Sequence, residues 1–265
     1  GLAPKKRFGQ NFLHDGNQMA RILAAAQVQP DDVVLEVGPG TGALTGRLLE
    51  AGARVVAVEV DRDLEPLLHE QFASCGERLV LVVDDVLTGK HTINPRVIEA
   101  LRAIGHGGAD VPPFKLIANL PYNIASPLLV NLAVDHPAMR SAIVMVQREV
   151  AERMIARPGG KAYGPLTVML HATCHVQRLF NLSPACFWPA PSIESAVVRL
   201  DRLPTPRTVD PHALAEMVQR LFSRRRKQLG AILGRDRTWP AGVEPSQRPE
   251  QLDVEQLIAL LGSSV

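Results

Sequence analysis

Cysteine is scarce in this chain of 265 residues: Cys75, Cys174 and Cys186 are odd in number, scattered, and nowhere form a C-x-x-C pair. That excludes a disulfide framework and points to reduced thiols in a cytosol-like, cytoplasmic setting. His171, Cys174 and His175 stand close together, but they lie among apolar residues without a second ligand pair, so they read as packed side chains and not as a metal site. Long apolar runs are missing too. None approaches the roughly 20 residues that span a bilayer, and Lys5, Lys6 and Arg7 lead into polar "GQN" instead of an apolar signal core. A soluble, unexported protein without a membrane partner is expected, with native residues ahead of Gly1. Nor is one sign of charge in surplus: 29 Lys and Arg stand against 27 Asp and Glu, so any nucleic-acid contact has to come from local clustering of basic side chains. Internal repeats and low-complexity tracts are absent.

What is present is a hydrophobic share of 46%, enough for a full core and for a large domain plus a small one. Met19, Ile22, Leu23 and Ala26 recur at helical spacing behind a capping Asp15, which predicts a helix before the first strand. Short apolar runs then alternate with helix-like segments at Val33–Val37, Val55–Val60, Leu79–Val83, Leu116–Ala118 and Ile143–Val146. Runs rich in Val, Ile and Leu without alternation predict buried parallel strands, hence a doubly wound α/β sheet with its ligand at the carboxyl ends of the strands. Val176–Phe180 and Ala196–Leu200 are expected to add a hairpin at the sheet edge, and His91–Pro113 a helix and loop inserted before the fourth strand. "RLPTPRTVDPH", with three prolines, reads as a linker. Beyond it, Asp210 and Pro211 start a helix that carries Leu214, Val218, Leu221 and Phe222 on one face. The expected division is residues 1–203 as a cofactor-binding catalytic domain and 204–265 as a helical RNA-binding domain.

The first strand runs into "EVGPGTGALT", where Gly38 and Gly40 permit a tight turn and close backbone approach to a nucleotide-like ligand. The loop alone also satisfies a dinucleotide fingerprint, so it does not name the cofactor. Glu59 ends the second strand, about 20 residues on, where a carboxylate accepts hydrogen bonds from ribose hydroxyls. Asp84 and Asp85 end the third, and one of them is expected to accept from an adenine amine. The fourth strand ends in Asn119-Leu120-Pro121-Tyr122. An exocyclic adenine amine is a poor nucleophile because its lone pair is delocalised into the ring. Two acceptors, the Asn119 side-chain oxygen and the Leu120 carbonyl, would favour a more tetrahedral nitrogen. Pro121 would fix the backbone that carries them, and Tyr122 would stack on the base. Hydride transfer needs none of this.

Together with "KKRFGQNFLHD", "VEVDRDL", "YGPLTVML", "FWPAPSIESAVVRL" and "LFSRRRKQL", these motifs make the chain resemble, over almost its whole length, the small-subunit ribosomal RNA adenine dimethyltransferases, relatives of the erythromycin-resistance rRNA methylases. The resemblance implies a Rossmann-like class I methyltransferase fold and S-adenosylmethionine as methyl donor. It also implies dimethylation of the N6 amines of two adjacent adenosines near the 3′ end of small-subunit rRNA. The partner would be rRNA within a pre-ribosomal small subunit, met by a monomer. Implied cofactor contacts are Asn11, Leu13, Glu36, Gly38, Gly40, Glu59, Asp85 and Asn119. Asn119, Leu120, Pro121 and Tyr122 would hold the target base, with Phe187 as a second stacking face. The reaction would be in-line displacement at the sulfonium methyl, in which positioning carries most of the acceleration.

Arg220, Arg224 and Lys227 are expected on one helical face, flanked by Arg225 and Arg226, as a phosphate-binding stripe, with Lys5, Lys6 and Arg7 as further phosphate contacts. Two features depart from the family: Ser192 stands where a basic residue is frequent, and the segment between Asp85 and Asn119 is long. The alternatives weighed are a large-subunit rRNA resistance methylase, and a non-catalytic ribosome-assembly or transcription factor on the same fold.

Overall fold

The structure is a computed structural model describing Lys5 and residues 10–89, 92–105 and 108–262. Lys6, Arg7, His91 and Gly107 lie outside the described residues. Strand β1 (Phe12–Leu13) and helix α1 (Gly16–Ala26) are followed by β2 (Val33–Val37), α2 (Ala43–Glu50), β3 (Arg54–Glu59), α3 (Glu65–Gln71), β4 (Leu79–Val83) and α4 (Pro95–Ile104). Next come β5 (Phe114–Asn119), α5 (Ala125–Asp135), β6 (Met139–Gln147), α6 (Arg148–Met154) and α7 (Pro165–Thr173). The chain continues through β7 (Cys174–Leu182), β8 (Phe187–Trp188), β9 (Ser195–Arg202), α8 (Pro211–Ser223), α9 (Leu229–Leu233) and α10 (Val254–Gly262). Among the described residues no helix is long and apolar enough to cross a membrane.

Seven strands form one sheet in the order β4-β3-β2-β5-β6-β9-β7. β2 pairs in parallel with β3 and with β5, β3 with β4, and β5 with β6, while β9 runs antiparallel to β6. Every residue of β2 is buried, which explains its unbroken "VVLEV": a central parallel strand has no solvent face and so no alternation. The expected edge hairpin takes the form of β9 inserted between β6 and β7. Strand order reverses between β2 and β5, opening the crevice in which doubly wound sheets place ligands. Helix α1 starts as predicted, with Asp15 Oδ1 accepting the N–H groups of Asn17 and Gln18 at 2.9 and 3.1 Å.

The chain separates into two compact units, residues 1–151 with 177–201, and residues 152–176 with 202–265. The second unit thus takes in a segment that a linear boundary at residue 203 assigns to the first. Helix α7, within that segment, packs on α8 and α10, and Tyr163 lies tilted against Phe222 with ring centroids 6.0 Å apart. The proline-rich stretch read as a linker is part of this unit. The Leu203 and Arg207 N–H groups donate to the Thr173 and Ala172 carbonyls at 2.9 and 2.8 Å, and Thr208 is buried. Prolines interrupt the helix pattern there, but these two N–H groups dock the stretch on the end of α7.

Candidate active site

One cleft opens at the carboxyl ends of β2, β3, β4 and β5. The cofactor contacts expected from sequence, Asn11, Leu13, Glu36, Gly38, Gly40, Glu59 and Asp85, all line it. So do Asn119, Leu120, Pro121 and Tyr122, the residues expected to hold the base.

The glycine loop leaves β2 with Gly40 at φ +57°, a left-handed conformation in which a β-carbon would stand 2.6 Å from a Phe12 ring carbon. Only glycine fits there. The Gly40 N–H donates to Glu59 Oε2 at 3.1 Å, and the Asp61 N–H to Oε1 at 2.8 Å. Glu59 is 3% exposed; burial pushes its carboxyl pKa up, and the two N–H groups pull against that. A carboxylate has about four acceptor positions, so Glu59 keeps acceptor capacity beyond these N–H groups.

Glu36, at the floor of the cleft, is different. Burial and the neighbouring Glu59 push its pKa up to about 8, while the Thr45 hydroxyl donates to Oε2 at 2.7 Å. Burial thus favours its protonated form. At the end of β4, Asp84 is held below the usual carboxylate range by the Asp85 N–H and by Arg96, whose Nη1 is 3.0 Å away. Asp85 is exposed, with Oδ1 fixed by the Leu87 N–H at 2.9 Å and its carbonyl by Asn94 Nδ2 at 2.8 Å. The two acids thus divide: Asp84 pairs with Arg96, and Asp85 faces the cleft rim.

Asn119 ends β5. Its Nδ2 donates to the Asn11 carbonyl at 2.8 Å, which fixes the amide and leaves Oδ1 as the acceptor. The Leu120 N–H donates to Met145 O at 3.1 Å, and among the described residues no N–H bonds the Leu120 carbonyl. The Pro121 carbonyl takes the N–H groups of Ile124 and Ala125, both at 3.2 Å, and so starts α5. The Tyr122 hydroxyl is 3.3 Å from Ser195 Oγ. A β-carbon on Gly38 would lie 3.7 Å from Pro121 Cδ, so the glycine loop and the Asn119 turn pack together. The opening between them juxtaposes the Glu59 carboxyl with two neutral acceptors, Asn119 Oδ1 and the Leu120 carbonyl, an arrangement suited to orienting an amine.

The expected second stacking face, Phe187, is 3% exposed and packed in the core, where β8 pairs with β1, and is not among the residues lining the cleft. Lys5 Nζ pairs with Asp61 and Asp63, and Gln10 Nε2 also donates to Asp61 at 2.9 Å. The basic stripe is not one helical face. Helix α8 stops at Ser223, Arg220 Nη2 donates to Ile232 O at 3.3 Å, and Arg225 is bound to Glu250 and to the Gly160 and Lys161 carbonyls. Arg224, Arg226 and Lys227 stay exposed. Sequence reasoning missed Phe12, which lines the cleft, and Thr45, which restrains Glu36. Phe12 carries a signal, an aromatic between two expected cofactor residues; Thr45, one of several polar residues after the loop, carries none.

With this geometry established, comparison with known proteins is informative. The ribosomal RNA adenine dimethylase family profile matches residues 1–261. The "Ribosomal RNA small subunit methyltransferase A" of Pseudomonas syringae pv. syringae is 40% identical over 264 residues, covering 97% of this chain and 92% of that protein. The crystal structure of a dimethyladenosine transferase from Plasmodium falciparum superposes with a TM-score of 0.74 at 24% identity, covering 94% of this chain and 95% of that one, a likeness of fold. That of the 23S rRNA methyltransferase ErmE gives 0.69 at 27% identity, covering 96% and 99%. The sheet is that of the class I methyltransferases, as expected. On sequence over nearly its whole length, the chain belongs to the ribosomal RNA adenine dimethylase family.

Proposed function

We propose that the chain uses S-adenosylmethionine to dimethylate adenine N6 in small-subunit rRNA, and that the targets are two adjacent adenosines near its 3′ end. Family membership and the 40% identical relative named as a small-subunit rRNA methyltransferase support the reaction and the RNA. The setting we propose is a cytoplasmic monomer acting on a pre-ribosomal small subunit.

The cleft residues fit the cofactor. Gly38 and Gly40 have no β-carbon to block a close approach, and the buried Glu59 carboxylate has acceptor positions for a ribose. Asn11, Leu13 and Asp85 complete the walls, and Glu36 lines the cleft with its carboxyl held by the Thr45 hydroxyl. When bound, S-adenosylmethionine supplies an electrophilic methyl group. Asn119 Oδ1 and the Leu120 carbonyl accept the two amine hydrogens and turn the nitrogen lone pair out of conjugation. Pro121 holds these acceptors in place, and the half-buried Tyr122 ring, its hydroxyl tied to Ser195, offers a face to the base. Orientation is the main source of acceleration in such a site. Arg224, Arg226 and Lys227 supply phosphate contacts, while Arg225 serves the fold of its own unit.

The observation that carries this reading is the Asn119 amide, fixed by the Asn11 carbonyl beside an open Leu120 carbonyl. The test is incubation with radiolabelled S-adenosylmethionine and under-methylated small subunits, followed by mapping of the labelled nucleotide. Label as dimethyladenosine near the 3′ end, absent with Asn119→Ala, is the expected result. No label despite measurable cofactor and subunit binding would overturn it in favour of an assembly factor.

A further inference from the structure

At the rim of the cleft a large aromatic side chain stands in water with no role in the chemistry above. Trp188 is 55% exposed, and Ile193, on the same loop, is 42% exposed. Single exposed apolar residues are ordinary; the placement of this one is not. Trp188 lies opposite Phe12 in the β1–β8 pair, and the two rings stack with centroids 6.5 Å apart and planes 23° apart. Phe12 in turn lines the cleft against Gly40. The loop after Trp188 ends at Ser195, whose Oγ meets the cleft-lining Tyr122 hydroxyl at 3.3 Å. Arg148 braces it between, with Nη1 donating to Glu194 Oε2 at 2.9 Å and its N–H to the Glu194 carbonyl at 3.0 Å. Both ends of the loop therefore rest on cleft residues, and the indole extends an aromatic stack from the cleft wall to the surface.

Chemistry on an exocyclic base amine needs the base out of its stack, and its neighbours in the strand then lose a stacking partner. An exposed indole on a fixed support replaces that partner and tolerates any base, because every base has a π-face. We propose that Trp188 is a positioning residue whose outer face stacks a nucleobase flanking the target adenine in unpaired RNA, while its inner face rests on Phe12. This rests on the reading of the cleft as an RNA adenine methylase site.

The chain has two tryptophans, Trp188 and Trp239, so Trp239→Phe leaves Trp188 as the only indole reporter. Titration of that variant with a short unpaired RNA containing adjacent adenosines should quench its fluorescence saturably; no quenching would overturn the proposal. In steady-state assays on under-methylated small subunits, Trp188→Ala should raise KM on the order of tenfold, with kcat held within roughly twofold and cofactor affinity unchanged. Trp188→Phe should recover most of the loss. An unaltered KM would overturn the proposal. So would a parallel loss of cofactor affinity, which would make the indole a prop for Phe12. If the wild-type protein transfers no methyl group to subunits, the proposed function fails separately, and the quenching titration still decides whether Trp188 meets RNA.

Discussion

In the proposed site, removing the Asn119 side chain takes away a side-chain acceptor for the target amine while leaving the Leu120 carbonyl in place. By analogy with the loss of one preorganised hydrogen-bonding group, Asn119→Ala should lower methyl transfer on the order of 10²-fold or more. Small-subunit binding should persist, measured by co-sedimentation; its loss would show that binding and catalysis share one surface. Glu36 makes a second prediction at this scale. Its carboxyl titrates at about 8 in the fold against an ordinary 4.5, so the folded protein keeps a proton that the unfolded chain has released. Its contribution to stability is fully present below the lower value and is lost as pH rises through the higher one. Glu36→Gln has no proton to lose and retains an acceptor for Thr45. Thermal scans should show the variant's Tm advantage growing from pH 5 to pH 8; a constant difference would mean that Glu36 is ionised throughout.

At the level of elements, the glycine loop is built for a backbone that no other residue adopts without strain. Gly40→Ala should destabilise the fold by about 1–3 kcal/mol and weaken S-adenosylmethionine binding, because a β-carbon 2.6 Å from Phe12 moves that ring or the loop. Calorimetric titration and thermal melting measure both effects, and wild-type values for each would remove Phe12 from the cofactor site. The turn after α8 permits a sharper contrast. Arg225→Ala breaks the Glu250 pair and the bonds to two carbonyls, and should cost about 2 kcal/mol of stability with the salt dependence of RNA binding unchanged. Arg224→Glu with Arg226→Glu should do the reverse: normal melting, weaker RNA binding, and a log–log salt slope shallower by about 1–2. Exchange of these outcomes would assign the phosphate contact to Arg225.

On the scale of the whole molecule, each of the two units is assembled from two separate segments of the chain. Residues 204–265 made alone should give helical circular dichroism without a cooperative thermal transition, because Phe222 loses Tyr163 and Arg225 loses the Gly160 and Lys161 carbonyls. A sharp transition would show that α8 to α10 fold without α7. What the sequence by itself determined is the sheet, the crevice at the carboxyl ends of its strands, and the strand-end motifs that line it. Unalternated apolar runs require strands buried on both faces, and each motif sits at a strand end that a doubly wound topology gathers into one place. Tertiary structure alone decided which of the charged and aromatic side chains are free to act. Lys5 meets Asp61 across 56 positions, and Arg225 meets Lys161 across 64. Phe187 is buried and Trp188 exposed because β8 pairs with β1, and Glu152–Val176 joins the second unit because α7 covers α8. Such pairings depend on which distant segment fills the adjacent space, and no local pattern of residues encodes that.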